Sequence, residues 1–113
     1  MLRYPVIKSV EQTGNQVILH LFLPANILYF NGHFPDYPIL PGVIQVHWAI
    51  EFSQEYLQIL LQFKRLEVVK FHKLILPDTL IQLKLEHSIL KHKTTFSYNN
   101  DKTIYSSGRI VWG

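Results

Sequence analysis

A chain of 113 residues with no cysteine, 48% apolar and 17% charged, excludes a disulfide framework, a thiolate nucleophile and a zinc–thiolate site. It has room for one compact domain, spanning residues 1–113. The net charge of +3 is modest and its Lys and Arg residues are spread along the chain, so nucleic acid is not indicated as a partner. The apolar runs fall far short of the roughly 20 residues that cross a bilayer, and the N-terminus lacks a signal-peptide core. The expectation is a chain with no membrane span, in a reducing cytoplasm. So apolar a short chain also predicts that part of its surface is covered by another subunit.

In chain order, residues 4–10 and 16–23 read as strands joined by a turn at Gly14 and Asn15. In the second strand Val17, Leu19, Leu21 and Leu23 alternate with Ile18, His20 and Phe22, so both faces are largely apolar. Residues 25–30 fit a short helical turn or extended chain equally well. Residues 31–42 form a loop in which Pro35, Pro38 and Pro41 recur every third position, each removing a backbone donor and fixing φ.

Residues 43–61 predict a long helix with little polar face: only His47, Glu51, Gln54, Glu55 and Gln58 make a narrow stripe, which predicts a mostly enclosed helix. Trp48 sits at its centre as a core residue. Four β-rich runs follow, at residues 66–76, 79–90, 94–99 and 103–112, with turns near Pro77, Lys91 and Asn100. Two strands, one buried helix and a meander of long strands predict an α+β domain, an antiparallel sheet wrapped around a single helix.

The chemistry-bearing segment is residues 31–51. Gly32, His33, Phe34 and Pro35, then Pro38, then Pro41 and Gly42 give seven identities at fixed spacing. This pattern closely resembles the signature of the hotdog-fold 3-hydroxyacyl-[acyl carrier protein] dehydratases. The resemblance continues in residues 68–77, VVKFHKLILP, which look like a later strand of that family and its Pro-ending turn. With the helix and meander it covers most of the chain. Ile44, Gln45, Val46, His47, Trp48 and Ala49 look most like the branch of these dehydratases found in aryl-polyene biosynthesis.

Removing water from a 3-hydroxyacyl thioester needs a base for the C2 proton, an acid for the C3 hydroxyl and a donor for the enolate-like thioester oxygen. A neutral His33 can be the base, and the resemblance implies that a backbone carbonyl near Ile39 fixes its tautomer. Gly42 opens the helix, where unpaired N–H groups meet the positive end of the helix dipole. With Ile39 and Val43 beside it, Gly42 is the expected oxyanion and substrate contact, its missing Cβ permitting close approach. Phe34 and Tyr37 are expected to pack the loop.

His47 departs from the pattern. The resemblance implies a carboxylate five residues beyond Gly42, contributed to the neighbouring subunit's histidine; here that position is an imidazole. Three readings follow. His47 is the general acid, held charged by Glu51 one helical turn later. Or the chain is a catalytically degenerate subunit that pairs with an active paralogue, as one half of a heterodimer instead of a homodimer. Or it is an acyl thioesterase, with Glu51 activating water.

The first reading makes the substrate an acyl chain on the phosphopantetheine arm of acyl carrier protein, in fatty-acid or aryl-polyene type biosynthesis. It implies no metal or redox cofactor. His20, His72, His87 and His92 show no metal-ligand spacing and are expected to be structural or superficial.

Overall fold

Val17, Leu19, Leu21 and Leu23, alternate residues of one strand, are buried almost completely and mark the inner face of the sheet. The computed structural model describes residues 2–31 and 38–113. His33, Phe34 and Tyr37 lie outside the described residues. Among the described residues six strands, β1 (Val6–Thr13), β2 (Gln16–Leu23), β3 (Phe63–Phe71), β4 (Thr79–Ser88), β5 (Lys93–Asn99) and β6 (Ile104–Trp112), form one antiparallel sheet in the order β1-β2-β4-β5-β6-β3. Among the described residues one α-helix, α1 (Gly42–Tyr56), lies on the inner face. This is the expected α+β hotdog arrangement.

The core joins the two layers. Trp48, Ala49 and Phe52 of α1 are buried with Leu19, Leu83, Leu85, Phe96 and Ile110 of the sheet. Each Leu, Ile and Phe among them contributes about 1.5–3 kcal/mol on leaving water. The ambiguous stretch before the loop resolves into a 3-10 turn at Leu28–Phe30.

Several boundaries differ from expectation. The helix ends at Tyr56 and not at residue 61: Leu57 closes it by donating to the Ser53 carbonyl, and Gln58 then turns left-handed at φ +53°. The Gln12 side chain donates to the Tyr56 carbonyl and satisfies one of the unpaired acceptors there. Apolar periodicity runs on through Ile59 and Leu61 because Ile59 packs against the core from the following loop, so the pattern persists where the helix does not.

β1 occupies Val6–Thr13, where residues 4–10 were expected, and leaves Tyr4 in a separate N-terminal strap. β3 occupies Phe63–Phe71 instead of 66–76. Its ladder to β6 jumps from the Glu67–Arg109 pair to the Lys70–Ser107 pair, a bulge that places Val68 at φ +54°. A positive φ is unusual for a β-branched residue, and the extra residue re-aims the strand so that Phe71 faces α1.

The helix is less enclosed than its composition predicts. Gln45, Val46, Trp48, Ala49, Phe52 and Ser53 are buried, but the opposite side carries Val43, 73% exposed, and His47. β3 is also an edge of the sheet.

Candidate active site

Three chain segments converge on the start of α1. Leu40 donates its N–H to the Ile75 carbonyl at 2.9 Å, tying the approach to the helix to the chain that follows β3. Gln45, only 3% exposed, locks the same corner to the sheet. Its Nε2 donates to the Leu40 carbonyl at 3.1 Å, and its Oε1 accepts the Ser106 hydroxyl at 2.6 Å. The Tyr98 hydroxyl donates to the Gln45 backbone carbonyl at 2.7 Å. Burial pushes the Tyr98 hydroxyl well above its ordinary value, so it stays protonated and serves as a donor. Polar groups this deep must be paired, and these pairs set where the helix begins.

The Pro41 carbonyl accepts from the N–H groups of Ile44 and Gln45, at 3.1 and 3.2 Å. The N–H groups of Gly42 and Val43 therefore precede the first intrahelical bonds, at the positive end of the helix dipole. A cleft of about 400 Å³ opens here, lined by Ile39, Leu40, Gly42, Gln45, Phe71, His72, Lys73 and Leu74. Its wall combines apolar surface with two basic side chains. A Cβ on Gly42 would lie 2.7 Å from Cζ of Phe71, so the ring on β3 takes the space that the glycine leaves. The missing Cβ is thus read by Phe71.

His47 and Glu51 lie elsewhere on the helix. Five residues beyond Gly42, His47 is about 7.5 Å further along the axis and on a different side of it. Its Nε2 lies 2.5 Å from Glu51 Oε1, with the two side chains 54% and 36% exposed. Glu51 Oε2 accepts the Tyr4 hydroxyl at 2.5 Å. Hydrogen bonding to Glu51, then partial burial, then the Glu51 charge raise the Tyr4 hydroxyl above its ordinary value of 10.0. Both carboxylate oxygens of Glu51 are therefore engaged.

Of the expected site residues, Ile39 and Gly42 share the cleft, whereas the Val43 side chain is not part of its lining and stands exposed on the side of His47. His47 and Glu51 form a pair on the exposed side, and His33 lies outside the described residues. The residues that sequence reasoning missed are Tyr4, Gln45 as an anchor, and Phe71, His72 and Lys73 as cleft wall. Gln45 left one signal, an amide among apolar helix positions. Tyr4, 47 residues from its partner, left none.

The family model of the ApeI-like proteins, described as ApeI dehydratase, matches residues 9–109. The chain belongs to the ApeI-like dehydratase family. One solved structure, a chain of the dehydratase heterocomplex ApeI:P from Xenorhabdus doucetiae, is 33% identical with a TM-score of 0.90, over 96% of each chain. An uncharacterized protein from Erwinia carotovora subsp. atroseptica is 33% identical with a TM-score of 0.82, over 100% of this chain and 97% of that one. Among curated relatives, the 3-hydroxyacyl-[acyl-carrier-protein] dehydratase FabZ of Clostridium perfringens is 30% identical, over 97% of this chain and 88% of its own length. Membership agrees with the aryl-polyene branch expected from the helix motif. Among the described residues no helix is long and apolar enough to cross a membrane.

Proposed function

We propose that this chain, one hotdog domain over residues 1–113, catalyses the reversible dehydration of a 3-hydroxyacyl group on acyl carrier protein to the trans-2-enoyl thioester, in fatty-acid or aryl-polyene type biosynthesis. The observation that carries this reading, beside family membership, is the His47–Glu51 pair standing where the dehydratase pattern places its acid. A cytoplasmic location fits a substrate carried on a soluble protein arm.

Neutral His33 takes the C2 proton. The electron pair moves into the thioester, whose oxygen gains negative charge and is met by the N–H groups of Gly42 and Val43. The pair then returns from the oxygen to form the C2=C3 double bond as the C3–O bond breaks, and His47, in its protonated form and held by Glu51, gives its proton to the departing hydroxyl, which leaves as water. Ile39 and the cleft beside it hold the thioester end of the arm. No metal or redox step enters this scheme.

The cleft and the His47 pair face different sides of one helix, which favours a site completed by a second hotdog subunit. Similarity to a dehydratase heterocomplex supports a partner subunit as well as a second copy of this chain. A partner-dependent chain is the second reading. Thioester hydrolysis is disfavoured because both Glu51 oxygens already have partners, Tyr4 and His47, leaving neither placed as a base toward water.

The test is enoyl-thioester formation by the purified chain and by its His33→Ala and His47→Ala forms, with size-exclusion chromatography. A homodimer whose turnover falls about 10²–10⁴-fold in both variants supports the scheme. Unchanged activity in His33→Ala sinks the base assignment. Solubility only beside another hotdog protein shifts the weight to the partner reading. In a structure of the assembly, a separation beyond about 10 Å between His33 of one subunit and His47 of the next rules out the acid role.

A further inference from the structure

Tyr4 reaches Glu51 from a part of the chain that the dehydratase chemistry does not otherwise use. The strap before β1 is fastened at three points. Leu2 bridges Ile27 and its carbonyl accepts the Leu28 N–H at 2.7 Å. The Arg3 carbonyl accepts the indole N–H of Trp48 at 3.2 Å. Pro5 is buried at the strap's other end. Between these anchors the Tyr4 ring rests against Trp48 and Phe52, with centroids 6.5 and 6.3 Å away.

Tyr4 is therefore placed by Trp48, next to His47 in the chain, and by Phe52, next to Glu51. Its hydroxyl donates to one oxygen of Glu51 while the other oxygen faces the His47 ring. A glutamate on a half-exposed helix face has many rotamers, and fixing one of them costs side-chain entropy. A carboxylate clamped at both oxygens has far fewer orientations.

We infer that Tyr4 is a positioning residue: it holds Glu51 in the orientation that presents its carboxylate to His47. The inference rests on the proposed role of His47 and deepens it. The strap, Trp48, Tyr4, Glu51 and His47 then form one line of contacts from the N-terminal segment to the reacting face. Trp48 is completely buried and serves this line through its indole N–H as well as through packing. Tyr4 touches no substrate in this scheme, and its effect passes entirely through Glu51.

The experiment compares kcat, KM and Tm for the wild type, Tyr4→Phe, Glu51→Gln and the double variant, using a 3-hydroxyacyl-[acyl carrier protein] substrate and the protein in the assembly in which it purifies. Tyr4→Phe keeps the ring packing and removes only the hydroxyl. Expected is a fall in kcat of about three- to tenfold, with KM and Tm nearly unchanged. In the Glu51→Gln background the same change has no further effect, because coupled groups are not additive. An unchanged kcat in Tyr4→Phe, or an equal drop in both backgrounds, overturns the inference while leaving the dehydratase reading intact. A silent His47→Ala defeats the acid role itself.

A crystal structure of Tyr4→Phe supplies a readout independent of turnover. Glu51 is expected to swing away from His47 or to occupy several rotamers; a Glu51 that keeps its contact with His47 Nε2 overturns the clamp.

Discussion

His47 Nε2 and Glu51 Oε1 lie 2.5 Å apart, one helical turn from each other, on the side of α1 that the sheet does not cover. A carboxylate there orients an imidazole by engaging one ring nitrogen and leaving the other free to face a substrate. Glu51→Gln keeps the shape and removes the charge. Its kcat is expected to fall about five- to twentyfold, less than for His47→Ala, because the acid remains and only its support is lost. Steady-state kinetics on the two variants checks that order.

Gly42 and Phe71 make a second testable pair. In Gly42→Ala the new methyl would meet Cζ of Phe71 at 2.7 Å. Phe71 is 54% exposed, so its ring can turn aside, and the gain in helix propensity of up to about 1 kcal/mol offsets the crowding. Stability is expected to change by less than about 1 kcal/mol while turnover falls, since the displaced ring moves into the cleft. Phe71→Ala in the Gly42→Ala background is expected to recover part of that turnover. Urea melts with assays on the single and double variants measure both effects.

Gln45 carries the opposite balance. Gln45→Leu strands the Leu40 carbonyl and the Ser106 hydroxyl in a buried corner. Each unpaired group costs about 1–3 kcal/mol, and the start of the helix loosens with them. Tyr98→Phe removes one donor to the Gln45 carbonyl and is expected to cost about 1 kcal/mol. Thermal melts are expected to rank Gln45→Leu well below Tyr98→Phe.

Glu67 gives a pH-dependent prediction. The Lys93 ammonium, 3.2 Å away, is the main cause that holds its carboxyl below the ordinary 4.5, with Arg65 and Arg109 adding to it against a burial effect of opposite sign. A carboxyl depressed in the folded state stabilises the fold above its unfolded value, and that stabilisation is lost as pH falls through the depressed value. Glu67→Gln is therefore expected to lower Tm at about pH 7 and to match the wild type near about pH 2. Differential scanning calorimetry across that range tests it; a constant difference in Tm would assign the loss to packing.

Much of the architecture was legible because burial leaves a periodic trace. The β-rich run holding Val17, Leu19, Leu21 and Leu23 marked a strand, although its two apolar faces left the inner one undecided, and the apolar run around Trp48 marked one helix, which is shorter and less enclosed than that run implies. Boundaries were less legible. Gln58 and Val68 adopt positive φ although neither is glycine, so the helix end and the β3 bulge had no residue to announce them.

Chain chemistry alone determined the hotdog dehydratase assignment, because seven loop residues and a nearly all-apolar helix are local patterns that a linear string records. It also singled out His47 and Glu51, since a spacing of four places two side chains on one helix face. Only tertiary structure decided what surrounds them. Tyr4 meets Glu51 across 47 residues and Ser106 meets Gln45 across 61, and Phe71 fills the space beside Gly42 only after a bulge has turned its strand. Such contacts depend on how the sheet and helix pack, and no periodicity in the chain encodes them.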